Sequence, residues 1–462
     1  LCTQYGDRSD KISHQLIMIY FFAALILLGV LITIHEFGHF IMARFFNIYV
    51  QRFSIGMGPV IIKKEDSSGT EYAISALPLG GYVAMLSEKA LQDDNALRDT
   101  LTKDQLNNTF ESKPRWQRAL VMLAGPLANF ILSIFIFFFI FSNSLERTFN
   151  LNVGEITSTM TIQNTQIQSG HVLKSINGKM LSNLQELRLE LLSISGMTGD
   201  IFFEFEDENG QQYSQSIFVK DFLSSEESQL VPENVFGFNI ELSLIPYVGQ
   251  ILENSNAFNS ELKLNDLIVK ANSVKIKSFE QLKEIVTNSS EDLISLEVLR
   301  DNSTYYMEIP LSKNLNQNSN IPILGIVPGK KRSIFQSFVT GVNQTFDLSI
   351  RTLSFIGKMI TGDLGTQNLS GPIGIVKAAG DSAKLGFLPF LYLMAILSIS
   401  LGVINLLPIP VLDGGQLMML LVEAIKGSPL PEKIENAIYS GGMAVVIMLM
   451  FFAIFNDITR FF

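Results

Sequence analysis

Apolar residues dominate four stretches of this chain, at 16–34, 119–144, 385–412 and 437–455, and no charged residue interrupts any of them. About 20 such residues wind into a helix that crosses the roughly 30 Å hydrocarbon core of a bilayer. The pattern predicts four transmembrane helices, over residues 16–46, 117–144, 385–412 and 437–457. The first run is too long for a signal-peptide core and no small-residue cleavage site follows it. Residues 1–15 ahead of it are expected to be a dispensable tail. Between the first two runs the pattern changes. "QRFSIGMGPVIIKKEDSSGTEYAISALPLGGYVAML" alternates apolar positions, punctuated by Gly56, Gly58, Gly69, Gly80 and Gly81, which predicts short β-strands within residues 47–116. So apolar a sheet beside a membrane helix is expected to dip into the bilayer. Irregular backbone at that depth must be buried in protein or face water, and a cavity near the first helix would meet that condition.

After the second run the period shortens and the sequence repeats. "HVLKSINGKMLSNLQEL" from His171 and "DLIVKANSVKIKSFEQL" from Asp266 align at an offset of about 95 residues, a domain-sized period. Leu173 matches Ile268, Asn177 matches Asn272, Leu181 matches Ile276 and Leu184 matches Phe279. Each unit reads as strand, tight turn, strand, then a short helix, giving two tandem α+β modules over 151–225 and 226–328. The "SINGKML" centre resembles PDZ domains. The second copy departs from that pattern, with Asn265 and Ser273 where glycines are usual. PDZ modules hold peptides by adding a strand to a sheet edge; peptide capture and a purely steric cover both stay open here. From 333 to 360, Phe335, Phe338, Val339, Val342, Phe346, Ile350, Leu353 and Ile356 recur at helical spacing opposite Gln336, Asn343, Gln344 and Asp347. This predicts an amphipathic helix, either lying in the membrane interface or packed on the two modules. Gly362, Gly365, Gly371 and Pro372 are expected to break the chain after it.

Composition agrees with a membrane protein. Of 462 residues 47% are hydrophobic, high for a soluble chain. The net charge of −10 sits almost wholly within residues 141–330, while 44–118 is nearly balanced and rich in Lys and Arg. No basic stripe with interleaved aromatics marks a nucleic-acid partner. Arg44, Arg52, Lys63, Lys64, Lys113, Arg115 and Arg118 all flank the first two spans on one side. The positive-inside rule puts that side in the cytoplasm and the acidic middle region outside. A single cysteine, Cys2, excludes a disulfide framework and any site built from several thiolates.

One apolar run carries chemistry. "ITIHEFGHFIMARF" places His35, Glu36 and His39 inside the first predicted span, where an ionisable group costs about 2.5–3.5 kcal/mol. Residues i and i+4 of a helix share one face, so His35 and His39 can bind one cation. Glu36 lies on the neighbouring flank, free to act on water as a general base. This is the H-E-x-x-H arrangement of zinc peptidases. By itself the motif is weak in a soluble chain. Inside a span it is strong, because a structural zinc site is worth about 10–16 kcal/mol, several times the insertion cost. A catalytic zinc takes three protein ligands. His14 and His171 lie outside the spans, so Asp413, closing the third run in "NLLPIPVLDGG", is the remaining candidate. Asp-Gly-Gly is also ordinary turn chemistry, but His35 and Asp413 both lie near the same ends of their helices and can meet at one depth.

HEFGH early, GPLAN in the second run, two PDZ-like modules, and NLLPIPVLDGG near the end together resemble the site-2 protease family, in its bacterial branch, over nearly the whole chain from Leu16. The resemblance implies a polytopic α-helical membrane protein: four transmembrane helices, a membrane-associated β-sheet and two tandem PDZ-like domains. It implies Zn2+ held by His35, His39 and Asp413, with Glu36 catalytic. Asn405, Pro408 and Pro410 would hold unwound substrate, and Gly125, Pro126 and Asn129 would pack the second helix against the catalytic ones. Gly56 and Gly58 belong to a sheet whose edge could pair with that substrate. Gln416 stands where many relatives have His. The implied substrates are single-pass membrane proteins already trimmed outside, such as anti-sigma factors, with remnant signal peptides a second class. A membrane scaffold with a structural metal, or a metal transporter, fits less well: the first gives Glu36 no purpose, and the second needs more acids in the spans than Glu36 and Asp413.

Overall fold

The computed structural model describes residues 3–93, 95–156, 166–223, 232–313, 322–361 and 371–461. Among them, four helices are long and apolar enough to cross a membrane: Met18–Phe45, Arg115–Asn143, Phe387–Asn405 and Glu432–Thr459. The first lies within α1 (Thr3–Phe45), which is helical well into the expected tail. The chain divides into a helical unit, residues 1–143 with 334–462, and a β-rich unit, residues 144–333.

In the helical unit, β1 (Val50–Glu65) and β2 (Glu71–Met85) follow α1. Each strand folds back on itself. Residues 50–55 pair with 81–85 on one side and 71–74 on the other, and 60–65 pair with 71–75. Four strand segments thus arise from two strands, in the order 81–85, 50–55, 71–75, 60–65. Gly56 and Gly58, at φ 89° and 83°, form the corner in β1, a conformation other residues resist. Ile61, Ile62 and Ile74 project from this sheet and are exposed, as suits contact with hydrocarbon. Three short helices, α2 (Glu88–Asp93), α3 (Asn95–Thr100) and α4 (Lys103–Leu106), lead to α5 (Arg115–Asn143).

Among the described residues the β-rich unit contains two larger sheets of similar build and three two-stranded pairs. The first joins β4 (Phe149–Ile156), β5 (Val172–Ile176), β6 (Lys179–Met180), β7 (Gly199–Glu206), β8 (Gln212–Val219) and β9 (Phe238–Leu244), after a short β3 (Leu145–Glu146) and with α6 (Leu184–Ser193). Because β9 pairs with β4, the first module extends past the boundary expected at 225, which itself lies outside the described residues. The second orders β12 (Val274–Lys275), β11 (Leu267–Ala271), β13 (Leu293–Arg300) and β14 (Ser303–Pro310), with α7 (Phe279–Thr287) beside them; β10 (Val248–Ile251) pairs with β17 (Ile326–Pro328), β15 (Ser312–Lys313) with β16 (Pro322–Ile323), and β18 (Lys330–Lys331) with β3. The sequence repeat is a repeat of hydrogen bonds. Asn177 Oδ1 accepts from the Phe202 N–H, and Asn272 Oδ1 from the Ser295 N–H. Asn183 caps α6 as Ser278 caps α7. Ser273 sits at φ 64° and Asn265 at φ 70°, so the positions where glycine was missing do demand the left-handed conformation.

Back in the helical unit, a helix spans the amphipathic stretch as α8 (Ile334–Thr361). It packs along α5, where a Cβ on Gly341 would lie 3.0 Å from the Phe138 backbone nitrogen. Its buried positions are Ser337, Gly341 and Thr345, while Phe335, Phe346 and Ile350 point away from the protein. Small residues allow the close approach and the large apolar ones face outward, the usual arrangement for helices packed in lipid. Gly362 and Gly365 lie outside the described residues, and Pro372 starts a helix instead of breaking one: α9 (Pro372–Leu385). Its first N–H groups at Gly371 and Gly374 are capped by Asp457 of the last helix, a buried acid in the helical unit besides Glu36 and Asp413. The third apolar run is not one helix either. α10 (Phe387–Asn405) stops there, a loop follows, and Asp413 opens α11 (Asp413–Lys426). Pro408 and Pro410, lacking N–H groups and hostile to helix in the residue before them, account for the break. α12 (Glu432–Phe461) completes the unit.

Candidate metal centre

Helix α1 delivers both imidazoles to one face, and α5 is cut away to receive them. A Cβ on Gly125 would fall 2.3 Å from His39 Nε2 and 2.9 Å from His35 Cε1, and one on Gly38 would fall 2.2 Å from the Ala124 carbonyl oxygen. Glycine on both helices therefore sets how closely they cross. The third element arrives by a different route. Gly414 and Gly415 are helical, not a turn, and a Cβ on either would strike the carbonyls of Leu406 or Ile409 at under 2.4 Å. The loop 406–412 wraps over the first turn of α11, and only a pair of glycines leaves room for it. That wrapping turns Asp413 inward.

The result is a cluster of three. His35, His39 and Asp413 are buried, and one ligand atom from each lies within 4.8 Å of the others. His35 Nε2 is 3.2 Å from His39 Nε2 and 3.2 Å from Asp413 Oδ2, and His39 Nε2 is 3.5 Å from that oxygen. Ligands about 2.0–2.2 Å from a tetrahedral zinc stand roughly 3.3–3.5 Å apart. His39 Nδ1 lies 2.7 Å from the Val121 carbonyl oxygen, which can only accept. The proton is therefore on Nδ1, and a neutral His39 turns a lone pair toward the cluster. Asp413 Oδ2 is buried with no hydrogen-bond partner. Lone pairs crowded together without a proton between them suit a cation, so the residues fit a zinc ion.

Glu36 is adjacent but not among the three. Its carboxylate faces the Val83 backbone, and a Cβ on Gly81 would touch its Cγ at 3.3 Å. The strand 81–85, a sheet edge, thus lies directly over the glutamate. A cavity of about 490 Å³ opens here, lined by Glu36, His35, Met57, Tyr82, Asn405 and Gln416 among others. Asn405 was expected at this place, with its amide nitrogen 3.5 Å from His35 Nε2. Gly56 and Gly58 do not line the cavity; they turn the chain so that Met57 between them does. Pro408 is exposed outside it, and Pro410 packs on Gly442 of α12. Missed by sequence reasoning were Tyr82, Val83 and Met57. The Gly80-Gly81 pair was their signal, read only as turn punctuation.

At the far end of α11, Glu423 accepts from Arg115 Nε at 3.1 Å and Arg118 Nη2 at 2.8 Å. Burial pushes its carboxyl up, but these two guanidinium groups outweigh that and hold it below the ordinary range. This pair ties α11, and so Asp413, to the start of α5.

Two histidines one turn apart, a glutamate beside them and an aspartate from a distant segment define a metallopeptidase whose centre lies on a helix of spanning length. Residues 23–449 match Peptidase family M50. The chain belongs to that family and is a zinc metalloprotease. It is 33% identical over 450 residues to "Regulator of sigma-E protease RseP" of Salmonella typhimurium, covering 95% of this chain and 98% of the relative. With the protein of the same name from Escherichia coli it shares 34% over 449 residues, covering 94% and 97%. With "Regulator of sigma E protease" of Haemophilus influenzae it shares 33%, covering 94% and 98%.

Proposed function

We propose that this chain is an intramembrane zinc endopeptidase of the bacterial inner membrane that cuts single-pass transmembrane proteins already trimmed on their outer side. An anti-sigma factor is one such substrate, in keeping with relatives named as regulators of sigma E, and remnant signal peptides are a second class. The observation that carries this reading is the meeting of His35, His39 and Asp413 beside Glu36 on a helix fit to span a bilayer.

His35, His39 and Asp413 hold the ion in this account. Zinc bound there would polarise the scissile carbonyl and acidify a water molecule. Glu36 takes a proton from that water and returns it to the leaving amine. The Val83 backbone faces the Glu36 carboxylate on the flank of the cluster. A peptide bond inside a helix is masked by its own hydrogen bonds, so substrate must enter extended. The open edge of 81–85 offers backbone donors and acceptors for such a strand, with Asn405 across the cavity. Lys and Arg flanking the first two spans support an active site facing the cytoplasm. The unit of residues 144–333 then lies in the periplasm, as two PDZ-like domains that exclude substrates still carrying bulky outer domains.

The test uses purified protein with a model transmembrane peptide. Glu36→Gln should abolish cleavage while zinc stays bound, and Asp413→Ala should lose both. Cleavage surviving Glu36→Gln would sink the reading. Deleting 151–328 should let untrimmed substrates be cut; if they stay intact, the filter role is wrong.

A further inference from the structure

Residue Asn129 of α5 is completely buried, and its side chain is aimed at a metal ligand. Its amide nitrogen lies 3.1 Å from His35 Nδ1, on the opposite side of the ring from the metal cluster. Its amide oxygen is buried and has no hydrogen-bond partner. The residue is held in place through its backbone: the hydroxyls of Ser133 and Ser398, from α5 and α10, both donate to the Asn129 carbonyl oxygen, at 3.0 and 2.9 Å.

The arrangement has a consequence for the proton on His35. A neutral imidazole carries one N–H. If the Asn129 nitrogen donates to Nδ1, the His35 proton must sit on Nε2, pointing at Asp413, and that nitrogen cannot bind a metal. If the amide is turned by 180°, its oxygen accepts from Nδ1–H and Nε2 presents a lone pair to the cluster. The two ends of an amide have nearly the same shape, so the turn needs no repacking. Either orientation leaves one amide atom without a partner, but only the second is compatible with three ligands.

We propose that Asn129 is the positioning residue for His35, its side-chain oxygen accepting the Nδ1 proton in the zinc-loaded protein and so fixing the ring tautomer that ligates. His39 obtains the same service from the Val121 carbonyl. The two ligands thus owe their tautomers to one stretch of α5, residues 121–129, with Gly125 between as the floor. Asn129 does more in this account than pack two helices together. Partners of this kind, behind a ligating histidine, commonly change metal affinity by 10–100-fold.

The inference rests on the zinc reading above, and the experiment separates the two. Zinc affinity is measured by chelator competition on full-length protein carrying Glu36→Gln, which removes proteolysis from the readout, and Co2+ substitution reports ligand geometry through its visible absorption. Asn129→Leu, similar in volume with no acceptor, should weaken zinc by 10–100-fold and alter the cobalt spectrum. Asn129→Asp, which also accepts from Nδ1–H, should restore both. Thr345→Ala, which removes a buried hydroxyl of α8 that bonds only within its own helix, should change neither. If Asn129→Leu does not fold, Asn129→Ser, too short to reach Nδ1, takes its place with the same expectation. Unchanged affinity and spectrum in the variant lacking the acceptor, or equal loss in Asn129→Asp, overturns the proposal alone. A parent protein that binds no zinc overturns both readings.

Discussion

The β-rich unit centres on large buried apolar side chains, with Phe203, Phe205, Phe222 and Phe236 almost wholly out of contact with solvent. The helical unit also buries Leu27 and Phe137, but its interior includes Asn129, Ser133, Ser337, Thr345 and Ser398, while Phe21, Ile131, Phe135 and Phe451 are exposed. The same chain thus uses two rules of inside and outside. In water, apolar area drives burial at about 25 cal/mol per Å². In hydrocarbon that drive disappears, and close packing of small residues with interhelical hydrogen bonds holds the bundle instead. A buried charge in the β-rich unit, such as Glu233 with Arg188 at 2.8 Å, has a dedicated ionic partner. In the helical unit a serine finds a backbone carbonyl on the neighbouring helix, as Ser133 does on Ala395.

This contrast can be broken at several places. The largest effect is expected at Gly125, where α5 has no side chain so that the imidazoles can lie against it. Gly125→Ala should cut activity by on the order of 100-fold or more, as ångström displacements of catalytic groups do, with zinc content falling alongside. Full activity and full zinc in that variant would show the crossing to be less tight than described. Next, Phe203→Ala in the β-rich core should cost about 3–5 kcal/mol, read as a lower melting temperature of that unit. Cleavage of a short transmembrane peptide should persist, and its loss would mean the two units are not separable in function.

A smaller change is expected at Glu423. Replacing it by Gln should destabilise by about 1–2 kcal/mol, a charge-assisted bond partly exposed to solvent. Its carboxyl is held below the ordinary 4.5 by Arg118 and Arg115, so the folded state binds that proton less readily than the unfolded one. Its contribution is complete above 4.5, fades as the pH falls below that value, and is lost once the folded carboxyl is protonated. Thermal midpoints taken down through this range should converge for Glu423→Gln and the parent. A constant gap would remove the ion pair from the account. The smallest effect belongs to Ser398→Ala, about 0.6 kcal/mol as measured for interhelical hydrogen bonds in a membrane, visible only as a slight shift in detergent-induced unfolding. A cost of several kcal/mol there would show the polar interior to be a stronger glue than lipid packing implies.

Much of this molecule was written locally. Helices of spanning length, the i and i+4 histidines, the Glu36 flank and the repeated Asn177 and Asn272 turns each depend on residues a few positions apart, and such patterns survive translation into structure unchanged. At α8 the periodicity says that two faces differ but not which solvent each will meet. Likewise the unbroken apolar run 385–412 hid a loop, since composition carries no mark of where a helix stops when prolines lie among leucines.

The sequence alone determined the class of chemistry: a paired-imidazole site with its glutamate, inside an apolar helix, admits few uses other than metal hydrolysis. Only the tertiary structure decided which atoms complete it. Asp413 enters because two glycines let a loop lie on α11, Tyr82 and Val83 because β2 folds back across α1, and Asn129 because α5 crosses at a glycine. These are contacts between segments far apart in the chain. Their geometry depends on how closely backbones approach, and no local pattern of residues encodes that distance.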